Sequence, residues 1–192
     1  GGVALRSQRH ELPSQVRSLM MASSTAPNLD ATHNEVQDAD GWRTALRALP
    51  DPHVLQSWEW GDIKTQTGWR ADRILLRQTG DGPPIGAVQF LTRELAPRIP
   101  MRVGYVPKGP VVDWNNSEAV NRTLDAIEAH ARRRNCVFVK IDPDVRSVLA
   151  EGVVLTEKLK RRGWRFSQEQ VQFRNTAYSD LRPDDDQLLA AM

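Results

Sequence analysis

The sequence predicts a mixed α/β fold: an α+β arrangement with helices packed on a mostly antiparallel mixed sheet. Two observations carry this. Three apolar strand-like runs lie between Arg73 and Val106, with an Asp-Gly turn between the first two. A segment of helical period from Ser117 to Arg134 then leads straight into the apolar run Cys136–Ile141, as in a βαβ unit.

The composition bounds the class. The chain has 192 residues, 40% hydrophobic and 26% charged, which suits one good-sized globular domain. A net charge of +2 is too weak to argue for DNA binding. One cysteine, Cys136, cannot form an internal disulfide and points to a reducing cytoplasm. No apolar run reaches the length of a membrane span, which leaves at most a peripheral membrane contact. The chain opens with Gly, so Met20 and Met21 are candidate translation starts.

Residues 1–38 lack a sustained period and are rich in Ser, Thr, Asn, Asp and Pro, so they read as a disordered leader. A domain is expected over 39–181. Asp40 is placed as the cap of a short helix carrying Trp42, Leu46 and Leu49 on one face, stopped by Pro50 and Pro52. Ser57 caps a second helix, on which Trp60, Ile63 and Lys64 are neighbours. Of Trp58, Trp60 and Trp69, most read as core by default. Strands are expected over Arg73–Gln78, Ile85–Leu95 and Met101–Val106. Ser117 is placed as the cap of a long helix with Val120, Leu124, Ile127 and Ala131 facing inward. Cys136–Ile141 reads as a central strand. Thr156–Arg162 reads as a basic helix ended by Gly163, with Trp164 entering a strand-like segment. Gln170–Asp180 alternates as a strand should, and residues 182–192 open a last helix.

The residues that can carry chemistry are few. Tyr105-Val106-Pro107-Lys108-Gly109-Pro110 sets a phenol and a cation in a loop made stiff by two prolines, with Gly109 as its permissive point. Such a loop is either an anion cradle or a rigid basic turn, and spacing alone favours the turn. Asp142 and Asp144, at a strand end, can act in acid–base chemistry, although a turn-capping role is favoured. Lys158, Lys160, Arg161, Arg162 and Arg165 can meet phosphates, yet read better as a solvated helix face. Arg77–Gly82 matches the R-x-x-G-x-G pattern of acetyl-CoA pyrophosphate loops. Pro-Pro and a strand follow it, not a helix N-terminus, so it is read as a hairpin turn. His10, His33, His53 and His130 are scattered, and no metal site is proposed. Cys136, within an apolar strand, reads as an inert thiol.

Several stretches, in order over residues 54–181, resemble the Fem family of peptidoglycan-bridge aminoacyltransferases (FemA, FemB and FemX-like enzymes). They are Leu55–Lys64, Gly68-Trp69-Arg70, Gly104–Asp113, Ile141–Val145, Gly163-Trp164 and Gln170–Thr176. The resemblance implies a domain like the acyl-CoA N-acyltransferases (GNAT-like). It implies transfer of an amino acid from aminoacyl-tRNA to the stem peptide of a cell-wall precursor, UDP-MurNAc-peptide or lipid II. Cell-wall bridge synthesis and cell shape are the processes implied.

In that family the lysine of the Trp-x-x-x-Lys helix contacts the precursor, and it falls on Lys64. The tyrosine before the Lys-Gly-Pro loop falls on Tyr105. The implied precursor-binding set is Lys64, Tyr105, Lys108, Gly109, Trp60 and Asp142. Aminoacyl-tRNA is the co-substrate, and no cofactor is implied. The family continues into a second domain, expected to hold the catalytic groups, so the chain is expected to be a precursor-binding first half. An acyl-CoA-dependent N-acyltransferase and an inactive fragment are the alternatives.

Overall fold

In the computed structural model of the protein, residues 33–96, 100–146 and 149–167 are described. The elements are β1 His33–Glu35, α1 Ala39–Arg47, a 3₁₀ turn Val54–Gln56, α2 Trp58–Thr65, β2 Arg70–Arg77 and β3 Pro84–Glu94. They continue with β4 Arg102–Val106, β5 Val111–Val112, α3 Ser117–Arg133, β6 Cys136–Ile141 and α4 Ala150–Arg161. The strands form one mixed sheet in the order β1-β2-β3-β4-β6, with β5 paired to β3. All pairs are antiparallel except β4 with β6, which is parallel. The expected fold class is therefore what the chain adopts.

Strand alternation divides the core in two. Ile74, Leu76, Val88, Phe90 and Val106 face α3, whose Val120, Leu124, Ile127 and Ala131 pack onto them. Leu75, Ala87 and Val111 face the other way, onto Trp42, Ala45 and Leu46 of α1 and Leu49 just beyond it. Trp42 is fully buried, and its indole Nε1 donates to the Gln56 carbonyl at 2.9 Å. Gly104 is required on β4: a Cβ there would strike the Phe90 ring and Val139.

Several boundaries differ from expectation. Asp38, not Asp40, caps α1, accepting from the Gly41 amide at 2.6 Å, and Asp40 instead pairs with Arg43. Asn116, not Ser117, caps α3, accepting from the Ala119 amide at 3.1 Å. Ser57 caps α2 as expected, accepting from the Trp60 amide. Trp58, Trp60 and Trp69 are all half-buried, with Trp58 packed against the α1-side core. β1 lies inside the expected leader. Its three residues show no alternation, and it forms because β2 offers an unpaired edge, with Val36 N donating to Arg73 O at 2.8 Å.

The hairpin reading of Arg77–Gly82 holds: the Gly82 amide donates to Thr79 O at 2.6 Å and Gln78 to Pro83 O at 3.2 Å. Among the described residues β6 is the last strand of the sheet, not a central one. Val139 and Ile141 pack on the core, but Val137 and Phe138 are exposed. An apolar run looks the same at either position.

α4 starts six residues before the expected Thr156. Buried Leu155 and the bond from Thr156 Oγ1 to Gly152 O outweigh the weak helix preference of Gly152-Val153-Val154. Its basic run is largely the solvated face expected, with Lys160, Arg161 and Arg165 exposed, while Arg162 is part-buried. Lys158 reaches Ser117 O, Lys160 pairs with Glu157, and Arg162 pairs with Asp125 and Glu128 of α3. Gly163 ends the helix at φ +89, and Trp164 follows as irregular chain, its indole donating to Glu128 at 3.1 Å. The expected strand at 170–180, the final helix and most of the leader lie outside the described residues.

Behind β2 sits a buried charge cluster. The Asp72 carboxylate accepts two bonds from Arg134, both at 2.8 Å, and one from Arg70 at 3.0 Å. His130, fully buried, places Nε2 3.0 Å from the same carboxylate. Burial pushes the Asp72 pKa up, but His130, Arg70 and Arg134 outweigh it and hold the carboxyl well below its usual range. The folded state therefore favours ionised Asp72, a stabilisation present above the ordinary carboxylate range and lost as pH falls below it. Asp72→Asn is expected to cost about 3 kcal/mol at pH 7, the scale for breaking a buried ion pair. Below pH about 4 the loss should shrink, because the unfolded carboxylate titrates there. Urea unfolding at both pH values checks this.

Candidate substrate-binding site

The site is built on the α1/α2 side of the sheet. α2 reaches the sheet closely at Gly61, where a Cβ would collide with the Gln89 side chain and the Arg73 guanidinium. Arg73, 8% exposed, stacks 3.5 Å over the Trp58 ring and bonds Trp58 O and Asp62 Oδ1, each at 2.8 Å. The start of α2 is thereby locked to β2. One turn on, Lys64 Nζ lies 4.9 Å from the Trp60 ring centre, so the cation rests on the indole face.

A turn then returns the chain to the sheet. The Trp69 amide donates to Lys64 O at 3.2 Å, and Gly68 takes φ +81, a value natural only for glycine. Trp69 meets Tyr105 of β4, ring centres 6.5 Å apart and tilted by 52°. Arg93 of β3 lies 5.9 Å from the Trp69 ring centre. Trp60, Lys64, Trp69, Arg93 and Tyr105 are thus linked by this run of ring and cation contacts and by the α2-to-β2 turn. Tyr105 is 7% exposed, so it is a wall of this surface more than a protruding contact.

Lys108 and Asp142 form a second group, at the C-terminal ends of the parallel pair β4 and β6. The Asp142 amide donates to Val106 O at 3.2 Å. Lys108 Nζ pairs with Asp144 Oδ1 at 3.1 Å. Lys108, not the expected Gly109, takes the left-handed conformation, at φ 45. Gly109 is needed for space: a Cβ would run into the Gln56 amide. Among the described residues Asp142 Oδ2 is buried with no hydrogen-bond partner. Burial raises the Asp142 pKa and Asp144 adds to the rise, while Lys108 and His53 oppose it.

Six residues were expected here. The structure connects Trp60 with Lys64. Lys108 and Gly109 are adjacent in one loop, Asp142 lies near enough to feel the Lys108 charge, and Tyr105 stands on the strand that runs into that loop. No described hydrogen bond, ion pair or ring contact joins Lys64 to Lys108. A surface concavity lined by Arg43, Leu46, Arg47, Pro52, His53, Val54 and Ser57 contains none of the six. Sequence reasoning missed Arg93, Gln89 and Gln56. The one signal for Gln56 was a lone amide beside the cap of an aromatic helix.

Comparison with known proteins adds to this geometry. A model of the FemAB family matches residues 46–182. The chain belongs to the FemAB family. A lipid II:glycine glycyltransferase of Staphylococcus aureus is 30% identical over 168 residues, 84% of this chain and 38% of that protein. The same protein from the S. aureus bovine strain RF122 / ET3-1 matches to the same extent. This FemAB chain thus spans well under half the length of those relatives. A crystal structure of FemX superposes with a TM-score of 0.58 at 30% identity, covering 68% of this chain and 31% of that one.

The buried carboxyl of Asp142 has a measurable consequence. A raised folded-state pKa means stability present at low pH and lost as pH rises through that value. Asp142→Asn should therefore melt higher than the parent chain at pH 8, with the gap closing by pH about 3, below the usual carboxylate range. Thermal unfolding across that range tests it.

Proposed function

We propose that this chain is the precursor-binding part of an aminoacyltransferase that extends the stem peptide of a peptidoglycan precursor in interpeptide bridge synthesis. One observation supports the reading most: Lys64, the family's precursor-contacting position, is held on the Trp60 face by a helix locked to the sheet. The S. aureus relative's name states lipid II as its substrate, and UDP-MurNAc-peptide carries the same phosphates and stem peptide. A phosphate or carboxylate would meet Lys64, with Arg93 as a second cation beside Trp69. Lys108, Tyr105, Gly109 and Asp142 are proposed as the neighbouring wall.

Aminoacyl-tRNA is the proposed donor. The acceptor amine nitrogen attacks the ester carbonyl, a C–N bond forms, the C–O bond to the tRNA ribose breaks, and the amine's proton ends on the ribose hydroxyl. The protein's task is to hold amine and ester together and to stabilise the oxyanion. No residue of this chain is assigned as catalytic. Among the described residues no helix is long and apolar enough to cross a membrane. A cytoplasmic location, with lipid II met at the membrane surface, is part of the proposal. The hairpin geometry of Arg77–Gly82 speaks against an acyl-CoA-dependent enzyme.

Titration calorimetry with UDP-MurNAc-pentapeptide tests the reading. Lys64→Ala is expected to weaken binding about tenfold or more, the scale of a lost hydrogen bond to a charged group. Tyr105→Phe should weaken it by a smaller factor. Unchanged affinity in both variants overturns the site. Acetyl-CoA raising the melting temperature while the precursor does not would favour the acyl-CoA alternative.

A further inference from the structure

We infer that Gln56 is the positioning residue that clamps the Lys108 loop to the base of α2. The inference deepens the precursor-binding reading and rests on it for its functional consequence. Gln56 is fully buried. Its Nε2 donates to Pro107 O at 2.5 Å, and its Oε1 accepts from the Gln89 amide at 2.8 Å. Its backbone carbonyl accepts from Trp42 Nε1, and its backbone amide donates to His53 O at 2.8 Å. Gln89 Nε2 returns a bond to Leu55 O at 2.9 Å. One residue of the 3₁₀ turn thus reaches α1 through its backbone, and β3 and the loop after β4 through its side chain.

The contact is specific to the loop. Pro107 and Gly109 flank Lys108, and both touch the same amide: Pro107 through its carbonyl, Gly109 because any Cβ would overlap Gln56. Lys108 is held at φ 45 between them, where a non-glycine residue needs support from its neighbours. Gln56 directly precedes Ser57, the α2 cap, so the residue that fixes the loop also starts the helix that carries Trp60 and Lys64. The separation of the two cationic groups is therefore set through one buried amide. An apolar side chain of the same length would leave the Pro107 carbonyl and the Gln89 amide unpaired in the interior.

Hydrogen–deuterium exchange of the 192-residue chain, read peptide by peptide, tests the clamp without any ligand. In Gln56→Met, exchange over residues 104–114 is expected to quicken at least tenfold, with β2 and α3 unchanged, as for loss of about one hydrogen bond. Gly109→Ala, which presses on the amide from the loop side, should quicken the same segment and provides the test if Gln56→Met fails to fold. Exchange quickened equally throughout the chain, or unchanged in the loop, overturns the clamp. Calorimetry with UDP-MurNAc-pentapeptide supplies the functional readout: the clamp predicts at least tenfold weaker binding in Gln56→Met while Arg47→Ala binds as the parent does. Absence of binding by the parent chain would overturn the precursor reading, and the exchange data would still judge the clamp.

Discussion

A buried glutamine must pair both its backbone and its side-chain amide or destabilise the interior, and Gln56 does so through Trp42 and His53 on its backbone and Pro107 and Gln89 on its side chain. The site depends on that constraint. Gln56 sits where the chain leaves α1, turns once and enters α2. Its side chain crosses to β3 and to the loop after β4. The consequence is a polar seam inside an otherwise apolar layer, extended by Gln89 and by Arg73 stacked on Trp58. Such a seam restricts how α2 can sit on the sheet, because sliding the helix would orphan several buried groups together.

The opposite face of the sheet is built differently. There α3 packs apolar residues onto β2, β3 and β4, and a buried charge cluster lies at one end, around Asp72, His130 and Arg134. That cluster secures the C-terminal end of α3, and through the Arg134–Glu35 pair at 3.4 Å it also holds β1. A firm α3 layer behind the sheet leaves the α2 layer free to be polar and aromatic. The two faces of the sheet thus carry layers of different chemistry.

Much of the fold was legible in the chain. Helical spacing from Val120 to Ala131 and the Asp-Gly turn after β2 are local signals, and local physics settled both. The Ser57 cap and the Gly163 stop were legible for the same reason. Boundaries slipped where two capping residues stood close together, as with Asp38 and Asp40, or Asn116 and Ser117. β1 was invisible because its three residues form a strand only by borrowing the edge of β2. The half-burial of the three tryptophans near α2 was not legible, because residue type alone cannot distinguish an inner layer from its half-exposed flank.

Of the candidate site, the sequence by itself determined the chemical types present. It supplied a lysine on an aromatic helix, a phenol before a stiff Lys-Gly-Pro loop, and a carboxyl at a strand end, all within residues 46–182, which match the FemAB family. Tertiary structure alone decided their relations. It set Lys64 on the Trp60 ring, turned Tyr105 into a buried wall against Trp69, and paired Lys108 with Asp144. It also made Gln56 the joint between them. The reason is range. Caps, turns and periodicity act over a few residues, whereas Gln56 and Pro107 lie 51 positions apart and meet only because the sheet brings them together.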